Sequence, residues 1–170
     1  MEAERLSEDE TIVAKRQRSR HVIAPTSLDW PVVGWREWVA LPEFGVETIK
    51  AKMDTGARTS AIHAKHIQHF QDQGQPMVRF TVHPAQRSTR HPVSVIAEVV
   101  DERKIRSSSG HAKRRPVIVT ELELAGQRWP IELTLANRSL MGFRLLLGRQ
   151  ALRHRFFIDP GRSFLLSPKK

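Results

Sequence analysis

Apolar and polar residues alternate over short stretches of this chain, and this alternation predicts β-strands. Residues 46–53 form the clearest stretch, because Ile49 and Ala51 alternate with Lys50 and Lys52 as in a strand with one buried face. Pro42-Glu43-Phe44-Gly45 marks a turn just before it. Helical periodicity is weak elsewhere, so the pattern predicts an all-β fold. Further β-like stretches are residues 77–83, 93–100, 116–124, 129–135 and 143–147.

Less regular features lie at both ends of this pattern. Residues 32–41 place Trp35 and Trp38 in an apolar setting, where large aromatic rings are expected to serve packing rather than substrate binding. Residues 150–154 are predicted to form one helical turn. Residues 156–166 resemble a closing hairpin around Asp159-Pro160-Gly161.

The first 27 residues differ in composition from the rest of the chain. They contain as many acidic as basic residues and few large apolar side chains, which predicts a disordered N-terminal tail. The whole net charge of +10 therefore falls on residues 28–170, which have the length of one ordinary domain.

Composition also bears on the cellular compartment. The chain has no Cys, which excludes a disulfide framework and fits a reducing environment. No apolar run approaches the roughly 20 residues of a membrane span. Residues 1–29 lack the apolar centre of a signal peptide. These features predict a cytoplasmic protein with no membrane partner.

Asp54-Thr55-Gly56-Ala57 directly follows the predicted strand 46–53, and Leu145-Leu146-Leu147-Gly148-Arg149 comes about ninety residues later. A carboxylate that activates water needs hydrogen-bond support and close access for substrate, which Thr and Gly in a tight turn supply. An isolated Asp-Thr-Gly is most often an ordinary turn. Together with an apolar-Gly-Arg segment, it is the pattern of retroviral-type aspartic proteases. The pattern predicts Asp54, Thr55 and Gly56 as catalytic residues.

Such a site requires two carboxylates that share one proton, because two like charges that close cannot both ionise without a large cost. Only one Asp-Thr-Gly occurs in the chain, and 170 residues leave no room for a second lobe. The second Asp54 is therefore expected from another copy of the chain, across the two-fold axis of a homodimer.

Several longer motifs, spread over residues 32–167, resemble one bacterial family, the retropepsin-like proteins known as ATP-dependent zinc proteases. The resemblance implies a closed retropepsin-like β-barrel with one lobe per subunit, a homodimer, and Asp54 in the catalytic position. It also implies a functional link to ATP-grasp ligases that add glutamates to proteins or make glutamate oligomers. The motifs are Gly34-Trp35-Arg36-Glu37-Trp38-Val39-Ala40-Leu41-Pro42, residues 50–64, Arg106-Ser107-Ser108-Ser109-Gly110-His111, Trp129-Pro130-Ile131-Glu132-Leu133-Thr134-Leu135, and Leu147-Gly148-Arg149 with Phe157-Ile158-Asp159-Pro160.

The residues do not support the two cofactors in that family label. A phosphate-binding loop of the Gly-x-x-x-x-Gly-Lys-Ser/Thr kind is missing from the sequence, and so is the zinc motif His-Glu-x-x-His. His63, His66 and His69 are spaced three apart, a spacing that points the rings away from one common ion on a helix or a strand. We therefore predict no metal and no cofactor, and interpret the three His as a partly exposed surface.

Residues 102–117 are the candidate flap, the hairpin that closes a retropepsin-like cleft over its substrate. Its tip requires small residues, which Ser107, Ser108, Ser109 and Gly110 supply between apolar stretches. The other interpretation is a mobile basic loop without a catalytic role. Six basic residues support that reading: Arg103, Lys104, Arg106, Lys113, Arg114 and Arg115.

Arg58 departs from the retroviral pattern, because those proteases carry an acidic residue directly after Asp-Thr-Gly-Ala. That acidic residue pairs with the arginine of the Gly-Arg segment, so Arg149 requires another partner here. We interpret Gly148 and Arg149 as structural residues near the site, with Arg149 bonding backbone or a carboxylate by the turn.

The charge of the predicted site suggests its substrate. Ala57, Arg58, Arg106 and the Ser107–Gly110 tip are predicted to bind a Glu-rich or poly-glutamate chain, since basic side chains offset its repulsion from the Asp54 pair. The alternative function is a catalytically silent basic module for nucleic acid or ribosomal surfaces. Nucleic acid is less favoured, because the chain has no recognised nucleic-acid motif, no Tyr and only 6% aromatic residues for base stacking.

Overall fold

The computed structural model describes residues 12–14, 29–86, 88–106, 112–137 and 142–167. These residues form twelve strands and one short α-helix, so the fold is mostly β, as the alternation predicts. The strands are β1 (Ile12–Ala14), β2 (Val32–Gly34), β3 (Arg36–Leu41), β4 (Val46–Asp54), β5 (Ser60–Asp72), β6 (Gln75–Val82), β7 (Val93–Glu98), β8 (Asp101–Arg106), β9 (Ala112–Leu124), β10 (Gln127–Ala136), β11 (Leu145–Gly148) and β12 (Phe157–Asp159). Helix α1 covers Arg149–Leu152, and a 3-10 turn covers Pro42–Phe44.

Six of the strands close into a barrel in the order β5-β10-β9-β3-β4-β11, and β11 pairs with β5 again. Strand β11 completes the ring because it pairs parallel to β4, with Gly148 opposite Asp54, and antiparallel to β5, with Leu145 opposite Ile62. Closure leaves these strands no free edge. The retropepsin-like barrel that the family resemblance implies is confirmed.

Strand β5 belongs both to the barrel and to a sheet outside it. Its first residues pair with β10, with Leu133 opposite Ser60, and its later residues pair with β6. The register shifts between Lys65 and Gln68, where His66 takes a positive φ of 50°. This bulge redirects the strand out of the barrel wall. Strand β7 then pairs with β6, and β1 lies parallel to β7.

The barrel and the outer sheet share one hydrophobic core. Phe44 from the 3-10 turn meets Phe80 of β6 edge to face, with 5.8 Å between ring centroids. On β4 the predicted alternation is confirmed, since Ile49 and Ala51 are buried while Lys52 is exposed. The two tryptophans of the apolar stretch 32–41 pack on aromatic rings: Trp35 meets Phe143 edge to face, and Trp38 stacks on Phe164.

Strand β5 is a long element that the sequence pattern does not predict. Its first five residues are all buried, whereas its second half is mostly exposed. Strands are predicted from apolar and polar residues that alternate with a period of two. Strand β5 lacks a continuous alternation, because both faces of its first part are buried and its second part is mostly exposed.

The predicted hairpin at residues 156–166 is wrong. Phe157–Asp159 forms β12, which lies parallel to β2 in a separate two-stranded sheet. The turn after it exists, since Asp159 accepts hydrogen bonds from Gly161 N at 2.7 Å and Arg162 Nε at 2.6 Å. The chain beyond the turn does not return along β12 but runs beside β3, where Phe164 N donates to Arg36 O at 2.9 Å.

The remaining expectations concern the chain ends and the helix. Helix α1 overlaps the helical turn predicted for residues 150–154. Of residues 1–27 the structure describes only β1, so the disordered tail and the boundary at residue 28 stay predictions. Among the described residues, no helix is long and apolar enough to cross a membrane.

Candidate active site

Asp54 is the last residue of β4, and the chain turns sharply after it. Ala57 N donates to Asp54 O at 3.2 Å, which closes a turn over residues 54–57 that we call the Asp54 turn. Asp54 is half-buried, while Thr55 and Gly56 are exposed. A Cβ atom at Gly56 would lie 3.4 Å from Asp54 Oδ1, so the glycine keeps the space beside the carboxylate open.

Within the described part of the chain, no hydrogen bond or ion pair reaches the oxygens of the Asp54 carboxylate. A half-buried carboxylate in this condition has lone pairs available for a water molecule or a second carboxyl group.

The junction of β11 and α1 supports the chain that follows the Asp54 turn. The first N–H groups of a helix have no partner within the helix. Here Arg149 N donates to Ala57 O at 2.9 Å, and Gln150 N donates to Arg58 O at 3.1 Å. The helix start therefore fixes the backbone of residues 57 and 58.

Gly148 allows this contact because it has no side chain. A Cβ atom at this position would lie 2.6 Å from Thr59 C and 2.7 Å from Thr59 O, closer than atoms of these types approach in proteins. Gly148 N also donates to Ser60 Oγ at 3.1 Å. The glycine of the apolar-Gly-Arg segment therefore lets two backbone segments touch.

Arg149 has the backbone of the Asp54 turn as its partner. Its Nη1 donates to Thr55 O at 2.7 Å, so the guanidinium spans from α1 to the turn. Because Arg58 stands where the retroviral pattern has an acidic residue, that position offers no carboxylate to Arg149. Arg58 is exposed, and its guanidinium has no partner among the described residues.

The candidate flap has the backbone of a hairpin. Strands β8 and β9 pair antiparallel from Asp101 opposite Val117 to Arg106 opposite Ala112. We call these two strands the flap hairpin. The predicted tip residues Ser107, Ser108, Ser109 and Gly110 lie outside the described residues, and Arg106 is the last described residue of β8.

The sequence did not indicate the contacts that surround the Asp54 turn. Ser60 and Thr59 follow the turn, and Thr59 Oγ1 lies 3.5 Å from Gln150 Oε1. Arg103 of β8 reaches both Thr59 and Glu132, 44 and 29 residues away in the chain. No local motif signals contacts over such separations.

The interpretation of three partly exposed histidines is wrong for His63. His63 is only 1% exposed, whereas His66 and His69 are exposed on β5. Burial is the main cause that lowers the pKa of His63, and the charge of Arg144 lowers it further. The same two causes, in the same order, lower the pKa of the buried His83. Within the described ranges, no three His, Cys, Asp or Glu side chains are grouped as a metal site.

The closed barrel, the Asp54 turn and the Gly148-Arg149 support together define a domain of the retropepsin-like aspartic endopeptidase class. The family model that matches residues 32–169 is described as "RimB-like: Retropepsin-like aspartic endopeptidase RimB". The chain belongs to this RimB-like family. The retropepsin part of the resemblance is thereby confirmed.

Curated relatives carry a different name, which is not zinc protease. A chain from Shewanella pealeana is 46% identical over 138 residues, and one from Desulfotalea psychrophila is 49% identical over 129 residues. Each is named "Probable alpha-L-glutamate ligase". The match covers 81% and 76% of this chain but only 30% and 28% of those relatives. The chain thus corresponds to under a third of each of these proteins.

One solved structure supports the fold. The crystal structure of protein Lpg0085 (DUF785) from Legionella pneumophila, described as of unknown function, has a TM-score of 0.68 and 30% sequence identity. The similarity covers 80% of this chain and 98% of that one.

Proposed function

We propose that this chain is one subunit of a homodimeric aspartic peptidase that cleaves peptide bonds within or next to Glu-rich segments. In the proposed reaction, one Asp54 carboxylate takes a proton from water as the oxygen attacks the scissile carbonyl carbon. The protonated Asp54 of the other subunit donates its proton to the leaving nitrogen. Water is consumed, and a carboxylic acid and an amine are released. The reaction requires neither zinc nor ATP.

The observation that carries this proposal is the Asp54 carboxylate, which has no bonding partner among the described residues although the turn that bears it is held in place. A catalytic group must be held in place by its surroundings while its own reactive atoms stay available. Arg149 and the N–H groups of α1 hold the backbone of residues 55–58, and none of these contacts uses the carboxylate.

The homodimer has a candidate interface beside the Asp54 turn. Strand β2 leads into Trp35, whose carbonyl accepts a hydrogen bond from Met53 N at 2.9 Å. In the described part of the chain, β2 and β12 pair only with each other. Val32 and Phe157, opposite each other in this sheet, are 40% and 49% exposed. An open two-stranded sheet with exposed apolar side chains is suited to pairing with its symmetry mate.

Two observations support an acidic substrate. Arg58 is exposed next to the Asp54 turn with no described partner, so its charge is available to a ligand carboxylate. The relatives named probable alpha-L-glutamate ligases contain a region similar to this chain. A hydrolase domain that removes glutamates would oppose a ligase that adds them, which fits their occurrence in one chain.

Steady-state kinetics on an oligo-glutamate peptide and on an oligo-glutamine peptide of equal length test the proposal. We expect hydrolysis of the glutamate peptide to be preferred, and the preference to weaken with added salt. Arg58→Ala is expected to raise KM for the glutamate peptide on the order of 10-fold, a fold-change typical of one lost charged contact.

Arg128→Ala is the matched control, because Arg128 is an exposed arginine that pairs with Glu123 on another turn of the barrel. It is expected to leave KM unchanged. A preference for the glutamine peptide that does not respond to salt would contradict the acidic substrate. Turnover that survives Asp54→Asn would contradict the aspartic mechanism itself.

A further inference from the structure

Among the described residues, the side chain of Arg103 joins the flap hairpin by a hydrogen bond to the chain after the Asp54 turn. Arg103 lies on β8 and is one of the residues of this strand that face inward, with 30% of its side chain exposed. Its Nη1 donates to Thr59 Oγ1 at 3.1 Å and to Glu132 Oε2 at 2.7 Å, and its Nε donates to Asp101 Oδ2 at 2.8 Å. The guanidinium therefore joins β8, β10 and residue 59.

Thr59 belongs to the segment that the β11–α1 junction holds. The carbonyls of residues 57 and 58 accept from the helix start, and a Cβ on Gly148 would touch the Thr59 backbone. Residues 57–59 are therefore bound by two elements, since Arg103 of β8 contacts Thr59 and the start of α1 contacts residues 57 and 58. A displacement of β8 must either break the Arg103–Thr59 contact or shift residue 59.

The ion pairs of Arg103 favour a fixed position for its side chain. Hydrogen bonding to Glu132 is the main cause that raises the pKa of Arg103 above its usual value. Two carboxylates, from β8 and β10, hold the guanidinium at an orientation that places Nη1 on the Thr59 hydroxyl. A lysine has no planar fork and cannot keep these three contacts together.

We propose that Arg103 is a positioning residue, which couples the position of the flap hairpin to the backbone of the Asp54 turn. The inference rests on the proposed peptidase function. In this structure, Arg103 holds Thr59 and thereby the segment that follows Asp54. A displacement of β8 away from residue 59 would remove this support.

The test compares Arg103→Lys and Thr59→Val, singly and together, with wild type. Each single variant is expected to lower kcat on the order of 10- to 100-fold, the scale of a small misplacement of a catalytic group, with KM changed by less than about 3-fold. The kcat of the double variant is expected to be no lower than that of the worse single variant, because both substitutions remove the same contact between Arg103 and Thr59. Arg128→Lys serves as control, because it alters an exposed Arg–Glu pair beside the β9–β10 turn that no hydrogen bond or ion pair in the described part of the chain joins to Arg103 or Thr59.

Hydrogen exchange provides a readout that does not depend on activity. Backbone amides of residues 55–60 should exchange faster in both single variants than in wild type and in Arg128→Lys. If wild type hydrolyses no peptide, the proposed function fails, and exchange alone decides the inference. Unchanged kcat and exchange in Arg103→Lys would overturn it, as would additive losses in the double variant. If Arg103→Lys does not fold, the uncharged and nearly isosteric Thr59→Val decides.

Discussion

Two carboxylates of this protein, Glu37 and Asp54, have opposite surroundings. Glu37 is completely buried on β3 and accepts hydrogen bonds from Gly34 N at 2.7 Å, Leu165 N at 2.8 Å and Ser167 N at 3.1 Å. The hydroxyl of Ser167 donates to it as well. Asp54 is half-buried, and no group in the described ranges bonds to its oxygens.

The difference separates a structural carboxylate from an available one. A buried charge costs free energy unless its hydrogen-bonding capacity is filled. Glu37 meets this condition because backbone N–H groups of Gly34 and of residues 165 and 167 donate to it. In doing so, it fastens the C-terminal residues 165–167 to β3. Asp54 has its turn supported instead of its carboxylate, and the carboxylate oxygens have no bonding partner among the described residues.

Exchanging the acid for an amide at Asp54 should affect activity far more than folding. We expect Asp54→Asn to lower kcat by about 10²- to 10⁴-fold, the range of general acid–base catalysis. The free energy of unfolding should stay within about 0.5 kcal/mol of wild type, because no described contact is lost. Peptide hydrolysis and urea unfolding of the same preparation measure the two effects. A large loss of stability would mean that Asp54 has a structural role.

The same exchange at Glu37 should have the reverse result. We expect Glu37→Gln to lower the free energy of unfolding by roughly 3 kcal/mol, because an amide places N–H groups against buried N–H donors. Urea unfolding measures this change. Glu123→Gln is the control, since Glu123 pairs with exposed Arg128, and its effect should stay below about 1 kcal/mol. Equal effects of the two variants would contradict the structural role of Glu37.

The contact between Gly148 and the backbone of Thr59 can be tested by a substitution that changes no carboxylate. Gly148→Ala should lower the free energy of unfolding by about 1–3 kcal/mol, the usual cost of overpacking, because its Cβ meets the backbone of Thr59. Activity should fall with it. Thermal unfolding of Gly148→Ala and Gly142→Ala gives the comparison, as a Cβ at Gly142 meets no atom within 4 Å. If both variants unfold alike, the close approach at Gly148 is not decisive.

The smallest expected effect concerns the buried pair His63 and His83. Their pKa values in the folded protein are lowered from 6.5 by burial and by the charges of Arg144 and Lys65, and His66 also acts on His83. Below pH 6.5 the unfolded chain therefore binds more protons than the folded one, so stability falls as the pH decreases through this window.

Urea unfolding at pH 7.5 and pH 5.5 measures this dependence in wild type and in His83→Gln. The variant removes one titrating group and should lose less stability on acidification than wild type does. An equal loss in both proteins would show that His83 does not contribute.

Much of the site was visible in the sequence because its parts are local. The alternation of Ile49, Ala51 and their lysine neighbours predicts β4, and the turn residues after it place Asp54 at the end of that strand. The Gly148-Arg149 segment is identified as the partner of the turn because the two motifs together resemble the pattern of retroviral-type aspartic proteases. Glu37 and Asp54 could not be told apart by their surroundings in this way, because the donors to Glu37 come mainly from residues 165–167.

The sequence by itself determined the all-β class and the strand that carries Asp54, since each depends on a period of two or on a short motif. The pairing of the Asp54 turn with the Gly148-Arg149 segment was predicted from the resemblance to retroviral-type aspartic proteases. Only the tertiary structure decided the path of β5 out of the barrel, the parallel pairing of β12 with β2, the burial of His63 and the contacts of Arg103 with Thr59 and Glu132. The physical reason is that these features depend on which distant segments meet. The residue pattern within one segment does not identify the distant segment that it packs against.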